Sequence, residues 1–227
     1  MYRNVHKGQR ALLFELAMEL GRTDFSEAAA SSAIERQLRS AAEELRKHAD
    51  NEEKYIHPLL HSRAPEIAAA LEREHHAIEA ALSDLDGRLR PRGLPEEEPA
   101  TRGAELYMVW CRMLSAYLAH LDAEETLAMP ALWRTCSDQE IFAVIQAFVA
   151  SRSVADQLHD LRNQAPALTR QERATYVGNV MRGGALPNEQ IWDSLAGVLP
   201  PDDLARLKTD ISQGERPRAD RTARIST

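Results

Sequence analysis

The chain has 227 residues, a net charge of −7 and two cysteines, which together exclude several classes of protein. The acidic balance argues against general nucleic-acid binding, because such binding requires basic surface to meet the phosphates. Two cysteines are too few for a disulfide framework or a cysteine metal site, and no apolar run approaches the ~20 residues that span a bilayer. The N-terminus lacks the organisation of a signal peptide, so we expect a cytoplasmic protein without a membrane association.

Composition and periodicity predict an all-α fold. Aromatic residues make up only 5% of the chain, whereas Ala, Leu, Glu and Arg are abundant. These unbranched side chains keep most of their rotamer freedom in a helix. No stretch shows the period-2 alternation of a strand.

Two long helices are predicted first in the chain. The first covers residues 3–20 and ends at Gly21, since glycine favours a left-handed cap. The second is capped by Asp24 or Ser26 and continues to about His61, with Pro58 inside the pattern. This proline is expected to kink or shorten the helix, because it removes a backbone donor.

Two more long helices follow, at 65–89 and 102–135, separated by the loop-like sequence "RPRGLPEEEP" at 90–99. Four helices of this length with short connections predict an antiparallel up-down four-helix bundle over residues 1–135. Shorter helical patterns predict an accessory C-terminal helical region at 136–213, packed on the bundle. The tail at 214–227 has little apolar material and is expected to be disordered.

A His-x-Asp-x-Glu-Glu phrase occurs twice, beginning at His48 and again 72 residues later at His120. Positions i and i+4 of a helix lie about 40° apart on one face. Glu52 therefore points the same way as His48, and Glu124 the same way as His120. The other acids of the phrase, which we expect on the solvated flank, are Asp50, Glu53, Asp122 and Glu125.

Each copy of the phrase is preceded by a helix that carries a further histidine, His6 in the first half and His75 in the second. One His-x-x-x-Glu is common by chance in a Glu-rich helical chain, but two in register are far harder to obtain. In a bundle, four imidazoles and two carboxylates would meet at the centre. Such a set suits two divalent ions bridged by the carboxylates.

The pattern resembles the hemerythrin-like, His-His-Glu cation-binding family over roughly residues 1–135. The sequences "VHKGQRALL", "HADNEEKYIHPLL", "EREHHAIEAAL" and "HLDAEETLAMPAL" are similar to the motifs of its four helices. The resemblance implies a non-heme centre of two iron ions with an O2-derived bridging ligand. The ligands it implies are His6, His48, Glu52, His75, His120 and Glu124.

The sequence departs from the oxygen-carrying members of that family at Glu79, where they place a second third-helix histidine. This departure argues against reversible dioxygen carriage and favours oxidation chemistry or sensing, with Glu79 as an extra ligand or a position left open. A ferritin-like centre is a weaker alternative, because its Glu-x-x-His spacing occurs only once, at Glu72 and His75.

Three neighbours of the predicted ligands have two interpretations each. Tyr55 lies about 20° from the His48 face and would either hydrogen-bond a ligand or fill the core. Arg10 shares the His6 face and would either neutralise a bridging carboxylate or form a surface ion pair. His57, nine residues after His48, is expected to face away in a packing or surface role.

The functional prediction is a di-iron protein that binds and reacts with dioxygen, peroxide or a related small oxidant. It includes a di-iron oxidase or oxygenase with a small-molecule substrate. The alternative is an iron- or oxygen-sensing module that acts through a protein partner bound by its C-terminal helices. A structural bundle that binds adventitious zinc is a third interpretation.

Overall fold

A computed structural model of the chain describes residues 3–89 and 98–214. All regular structure in these residues is helical, which confirms the all-α prediction. The predicted loop at 90–99 and the predicted tail at 214–227 lie outside the described residues, apart from their edges. No single described helix is long and apolar enough to cross a membrane; only Asp138–Ser151 and Val154–Ala167 taken together reach that length and composition.

The first of two compact units ends at Ser151. Two of its four long helices, the second and the fourth, are followed by short helical segments near a proline, Pro58 or Pro130, which removes a backbone donor. The described elements are α1 (Arg3–Arg22), α2 (Ala28–Tyr55), α3 (His57–Arg63), α4 (Pro65–Leu89), α5 (Pro99–Ala123), a π-helix (Glu124–Ala128), α6 (Met129–Thr135) and α7 (Asp138–Ser151).

The long helices of this unit enclose one apolar core, because α1 and α4 each pack against both α2 and α5. Trp110 is its largest fully buried side chain, and its indole N–H donates to the Leu13 carbonyl at 3.4 Å. A second apolar cluster is formed by Ile56, Leu60, Ala68, Leu71, Ala128, Met129 and Leu132.

Between the two apolar clusters, each helix carries its predicted polar residues. Along α2 and its C-cap residue Ile56, for example, Leu45 belongs to the first cluster and Ile56 to the second, with His48 and Glu52 between them. The fold therefore places a polar layer inside an otherwise apolar interior.

The helix ends correct two predictions and confirm one. Helix α1 continues through Gly21, where a Cβ would lie 3.1 Å from the Tyr107 ring, so a close packing contact explains this glycine better than a cap. Asp24 accepts hydrogen bonds from the backbone and hydroxyl of Ser26, which forms a turn, whereas the residue before α2 is Glu27. The predicted interruption near Pro58 is confirmed, because α2 ends at Tyr55.

The second compact unit begins at Arg152 and has its own apolar core, with fully buried Leu161, Val177, Ile191 and Leu195. Its described elements are α8 (Val154–Gln164), a 3₁₀ turn (Ala165–Ala167), α9 (Arg170–Gly183), α10 (Asn188–Ala196) and α11 (Pro201–Gly214). Helix α7 lies in the accessory region as predicted from the sequence, but it packs against α2 and groups with the first unit.

Two helix glycines of the first unit should respond oppositely to alanine. At Gly87 a Cβ would meet nothing within 4 Å among the described residues, so Gly87→Ala should stabilise by about 0.5–1 kcal/mol through backbone entropy. At Gly103 a Cβ would lie 2.6 Å from the Phe25 ring, and the clash should cancel or reverse that gain. Urea unfolding of both variants measures the difference, and equal stabilisation would contradict the packing at Gly103.

Candidate metal centre

The six predicted ligand residues come together in the polar layer of the first unit. His6 from α1 and Glu124 from the π-helix are fully buried, and their Nε2 and Oε2 atoms are 3.3 Å apart. On α2, His48 Nε2 lies 2.9 Å from Glu52 Oε1. The histidines of α4 and α5 complete the set, with His75 Nε2 lying 3.5 Å from Glu52 Oε2.

These side chains form two overlapping groups that could each hold a metal ion. Within each group, one donor atom from every residue lies within 4.8 Å of the others. The first group consists of His6, His48, Glu52 and Glu124, and the second group consists of Glu52, His75, His120 and Glu124. Both carboxylates are shared, which is the arrangement needed to bridge two ions.

The two shared carboxylates would repel each other if both were ionised, and a cation between them would offset this repulsion. All four oxygens of Glu52 and Glu124 are buried, and their close polar neighbours in the described part of the chain include imidazole nitrogens without good hydrogen-bond geometry. Burial and the nearby Glu52 charge raise the pKa of Glu124 well above its usual value. Burial also acts to raise the pKa of Glu52, but His48, His6 and His75 outweigh it and hold that pKa well below its usual value.

The outer nitrogens of three histidines are fixed by carboxylates on neighbouring helices. Nδ1–H of each imidazole donates, which leaves the Nε2 lone pair directed into the cluster. The pairs are His6 with Glu125 at 2.8 Å, His75 with Glu53 at 3.1 Å, and His120 with Glu74 at 2.9 Å.

The facing nitrogens of His75 and His120 show most directly whether these residues fit a metal ion. Their Nε2 atoms are 3.0 Å apart, and with both Nδ1 atoms donating outward each presents a lone pair to the other. Two such lone pairs repel unless a proton or a metal ion lies between them. Donor atoms ~2.1 Å from one ion and at right angles to each other are also ~3.0 Å apart, so the residues present fit a metal ion.

The positions of Glu53 and Glu125 correct the prediction that they lie on a solvated flank without a role. Both are partly exposed, yet each holds the outer nitrogen of a predicted ligand on another helix. The spacing of residues along one α-helix predicts which face of that helix they occupy, but not which residues of other helices they contact. Glu125 also lies in the π-helix, whose i→i+5 bonding changes the angle that this prediction assumes.

Arg10 takes an arrangement between its two predicted interpretations. Its guanidinium pairs with Glu125 at 2.7 Å, and both side chains are about one-third exposed. It therefore does not contact a shared carboxylate but neutralises the acid that holds His6. The chain Arg10–Glu125–His6 positions one imidazole of the first group.

The structure does not bring Tyr55 or Glu79 to the cluster, which argues against Tyr55 as a hydrogen-bond partner of a ligand and against Glu79 as an extra ligand, whereas an open position beside Glu79 stays a prediction. The ring of Tyr55 lies edge-on to Phe148 of α7, with centroids 5.8 Å apart, because α2 ends at Tyr55 and α7 packs there. The carboxylate of Glu79 turns outward to Arg46 at 2.8 Å and accepts from Ser83. Arg46 lowers the pKa of Glu79, so this acid stays ionised in its ion pair.

Two further residues lie beside the cluster: His57, which was expected to face away in a packing or surface role, and Tyr117, for which no role was predicted from the sequence. His57 is buried and stacks on His75, with centroids 5.1 Å apart, and burial followed by His75 lowers its pKa. Tyr117 is 2% exposed, and burial, then Glu52 and Glu124, raise the pKa of its phenol well above the usual value. The available signal for Tyr117 was its spacing of seven residues from Glu124, two helical turns on one face.

Comparison with protein families agrees with this geometry. A family model described as the hemerythrin HHE cation binding domain matches residues 1–132, more than half of the chain. The chain belongs to this hemerythrin family. Searches of curated proteins and of solved structures found no match. The hemerythrin family binds iron, and the two groups of this hemerythrin domain could hold a metal ion.

Loss of an outer carboxylate should weaken metal binding without removing a ligand of the hemerythrin domain. Glu53→Ala frees the His75 imidazole to rotate and lowers its basicity, so the affinity for Fe²⁺ should fall about 10–100-fold. Asp50→Ala, an exposed acid of the same helix, is the matched control and should leave the affinity unchanged. Competition with a chromophoric chelator measures both values, and equal affinities would remove Glu53 from the centre.

Proposed function

We propose that this hemerythrin-domain chain is a non-heme di-iron protein that binds and reacts with dioxygen, peroxide or a related small oxidant. The observation that carries the proposal is the pair of ligand groups that share Glu52 and Glu124. A single-ion site would need only one of these groups. The packing of α1 and α4 against both α2 and α5 also supports the predicted antiparallel four-helix bundle around the centre.

The six ligand residues would be distributed over the two ions. His6 and His48 would hold one ion, His75 and His120 the other, and Glu52 and Glu124 would lie between them. Two iron ions held in this way supply the capacity to exchange electrons with a small oxidant.

The residues around the two ions would influence how the centre reacts with the oxidant. Glu53, Glu74 and Glu125 hold three imidazoles in one orientation and increase their basicity through charged hydrogen bonds. The apolar clusters on both sides of the layer exclude bulk water, which strengthens every electrostatic interaction inside it. Both features favour a preorganised centre, whose ligands have their final orientation before the oxidant binds.

The donor set supports reaction over reversible carriage. Each group contains two imidazoles and shares the same two carboxylates. Glu79, at the position where carriers of the family have another histidine, is half exposed and paired with Arg46. A centre with fewer neutral imidazoles for the same two carboxylates has a larger share of anionic ligands, which favours the oxidised, more highly charged ions and opposes the release of an unchanged oxidant.

An iron- or oxygen-sensing role is the second candidate, and the burial of the ligands favours it. Without a cation, the buried oxygens of Glu52 and Glu124 lack well-directed hydrogen bonds, so metal binding would stabilise the fold of the first unit. A protein whose stability depends on its metal can report metal supply to a partner. Under this candidate the second compact unit would be the partner-binding region.

Iron content and an optical spectrum of the reduced protein, before and after air, test the proposal. We expect two irons per chain and a new oxo-bridge absorption band after air. The double variant Glu52→Ala/Glu124→Ala should hold less than one iron per chain, because it loses both bridges. His76→Ala, an exposed neighbour of His75, is the matched control and should retain both irons.

Two outcomes would decide against parts of the proposal. Unchanged iron content in the double variant would contradict the ligand assignment. Two irons that stabilise the fold but consume neither dioxygen nor peroxide would favour the sensor over the reactive centre.

A further inference from the structure

A pocket between α2 and α4 leads from the surface to the centre. Four predicted ligands line its inner wall, His48, Glu52, His75 and His120, whereas His6 and Glu124 do not. The pocket therefore meets both ligand groups on the Glu52 side. The pocket is also lined by Leu45, Arg46, Ala49, Glu79, Leu82 and Tyr117.

The size of the pocket limits what it can hold. Its volume is about 30 Å³ on the scale where one water molecule needs about 10–15 Å³. Its wall is mostly apolar, with Leu45 and Leu82 almost fully buried. A molecule of two or three heavy atoms fits, whereas a larger organic substrate does not.

Tyr117 provides a polar group in this wall. Its hydroxyl is buried and has no hydrogen-bond partner within the described residues. A buried hydroxyl without a partner costs about 1–3 kcal/mol, and a phenylalanine would fill the same space at no such cost. The ring of Tyr117 lies 6.0 Å from that of His120, which places the phenol beside the second group.

Arg46 and Glu79 lie at the surface end of the pocket. They are the most exposed charged residues that line it, 28% and 51% exposed at the side chain, and their ion pair is 2.8 Å long. Asp86 also binds Arg46, at 2.9 Å, so the guanidinium is held across the opening from α2 to α4. Glu79 thus points away from the centre and forms part of the surface end of the pocket.

We propose that this pocket is the binding site for a small oxidant of two or three heavy atoms, and that the Tyr117 hydroxyl donates a hydrogen bond to it. The inference rests on the proposed di-iron function and adds the side of approach and the residue that contacts the ligand. The ligand class is a neutral or anionic molecule with a hydrogen-bond acceptor, since a phenol hydroxyl donates and this one has no other partner within the described residues.

Azide, a linear three-atom anion that binds ferric iron, is a suitable probe for the iron-loaded protein. Tyr117→Phe should weaken azide binding about tenfold, the value of one hydrogen bond to a charged acceptor, with iron content unchanged. Tyr107→Phe removes a half-exposed hydroxyl on the same helix and should leave azide affinity unchanged. Unchanged azide affinity in Tyr117→Phe would overturn the role of Tyr117, whereas a wild-type chain that binds no iron would overturn the di-iron function instead.

Filling the pocket tests the site independently of Tyr117. Ala49→Leu places a larger side chain in the lining, so azide binding should be lost while both irons remain. Ala29→Leu, on an exposed position of the same helix, is the control and should bind azide normally. Azide binding that survives Ala49→Leu would overturn the pocket as the binding site.

A metal-free measurement separates a ligand-binding hydroxyl from a structural one. If the phenol has no partner in the protein, Tyr117→Phe should raise the thermal midpoint of the metal-free protein by about 2–4 °C. A lower midpoint would show that the hydroxyl stabilises the fold and would overturn the proposal.

Discussion

Two buried carboxylates that face each other, surrounded by four imidazoles, are the constraint on which the first unit depends. Glu52 and Glu124 cannot both be ionised in an apolar interior at low cost, because like charges repel and neither is solvated. Their oxygens have imidazole nitrogens as close polar neighbours, and with both Nδ1 atoms donating outward, neutral His75 and His120 present two acceptors to each other. Positive charge at the centre would resolve both problems at once, so the folded state already holds the residues that could bind a metal ion.

The outer carboxylates connect this constraint to the rest of the bundle. Each of the three bonds from Glu53, Glu74 and Glu125 crosses to a different helix, so the layer binds its helices together as well as orienting the imidazoles. On one side of the layer, the small pocket with Tyr117 in its wall breaks the symmetry of the repeat. A nearly symmetric donor set thus has one side that a small molecule can reach.

The sequence predicted those parts that depend on periodicity within one helix. The bounds of α4, the break near Pro58 and the convergence of His48 with Glu52 all follow from spacing and proline chemistry. Spacing could not show which acid meets a histidine on another helix, and for that reason Glu53 and Glu125 were misplaced and Glu74 was not considered. Tyr55 failed for a related reason, since its surroundings depend on α7, whose contact with α2 no local pattern reveals.

The central claim is that Glu52 and Glu124 are shared by two iron ions, and anomalous diffraction at the iron absorption edge tests it most directly. Crystals of the iron-loaded protein should show two anomalous peaks ~3.5–4 Å apart, both in contact with these carboxylates. One peak should adjoin His6 and His48, and the other His75 and His120. A single peak, or iron bound away from either carboxylate, would contradict the account.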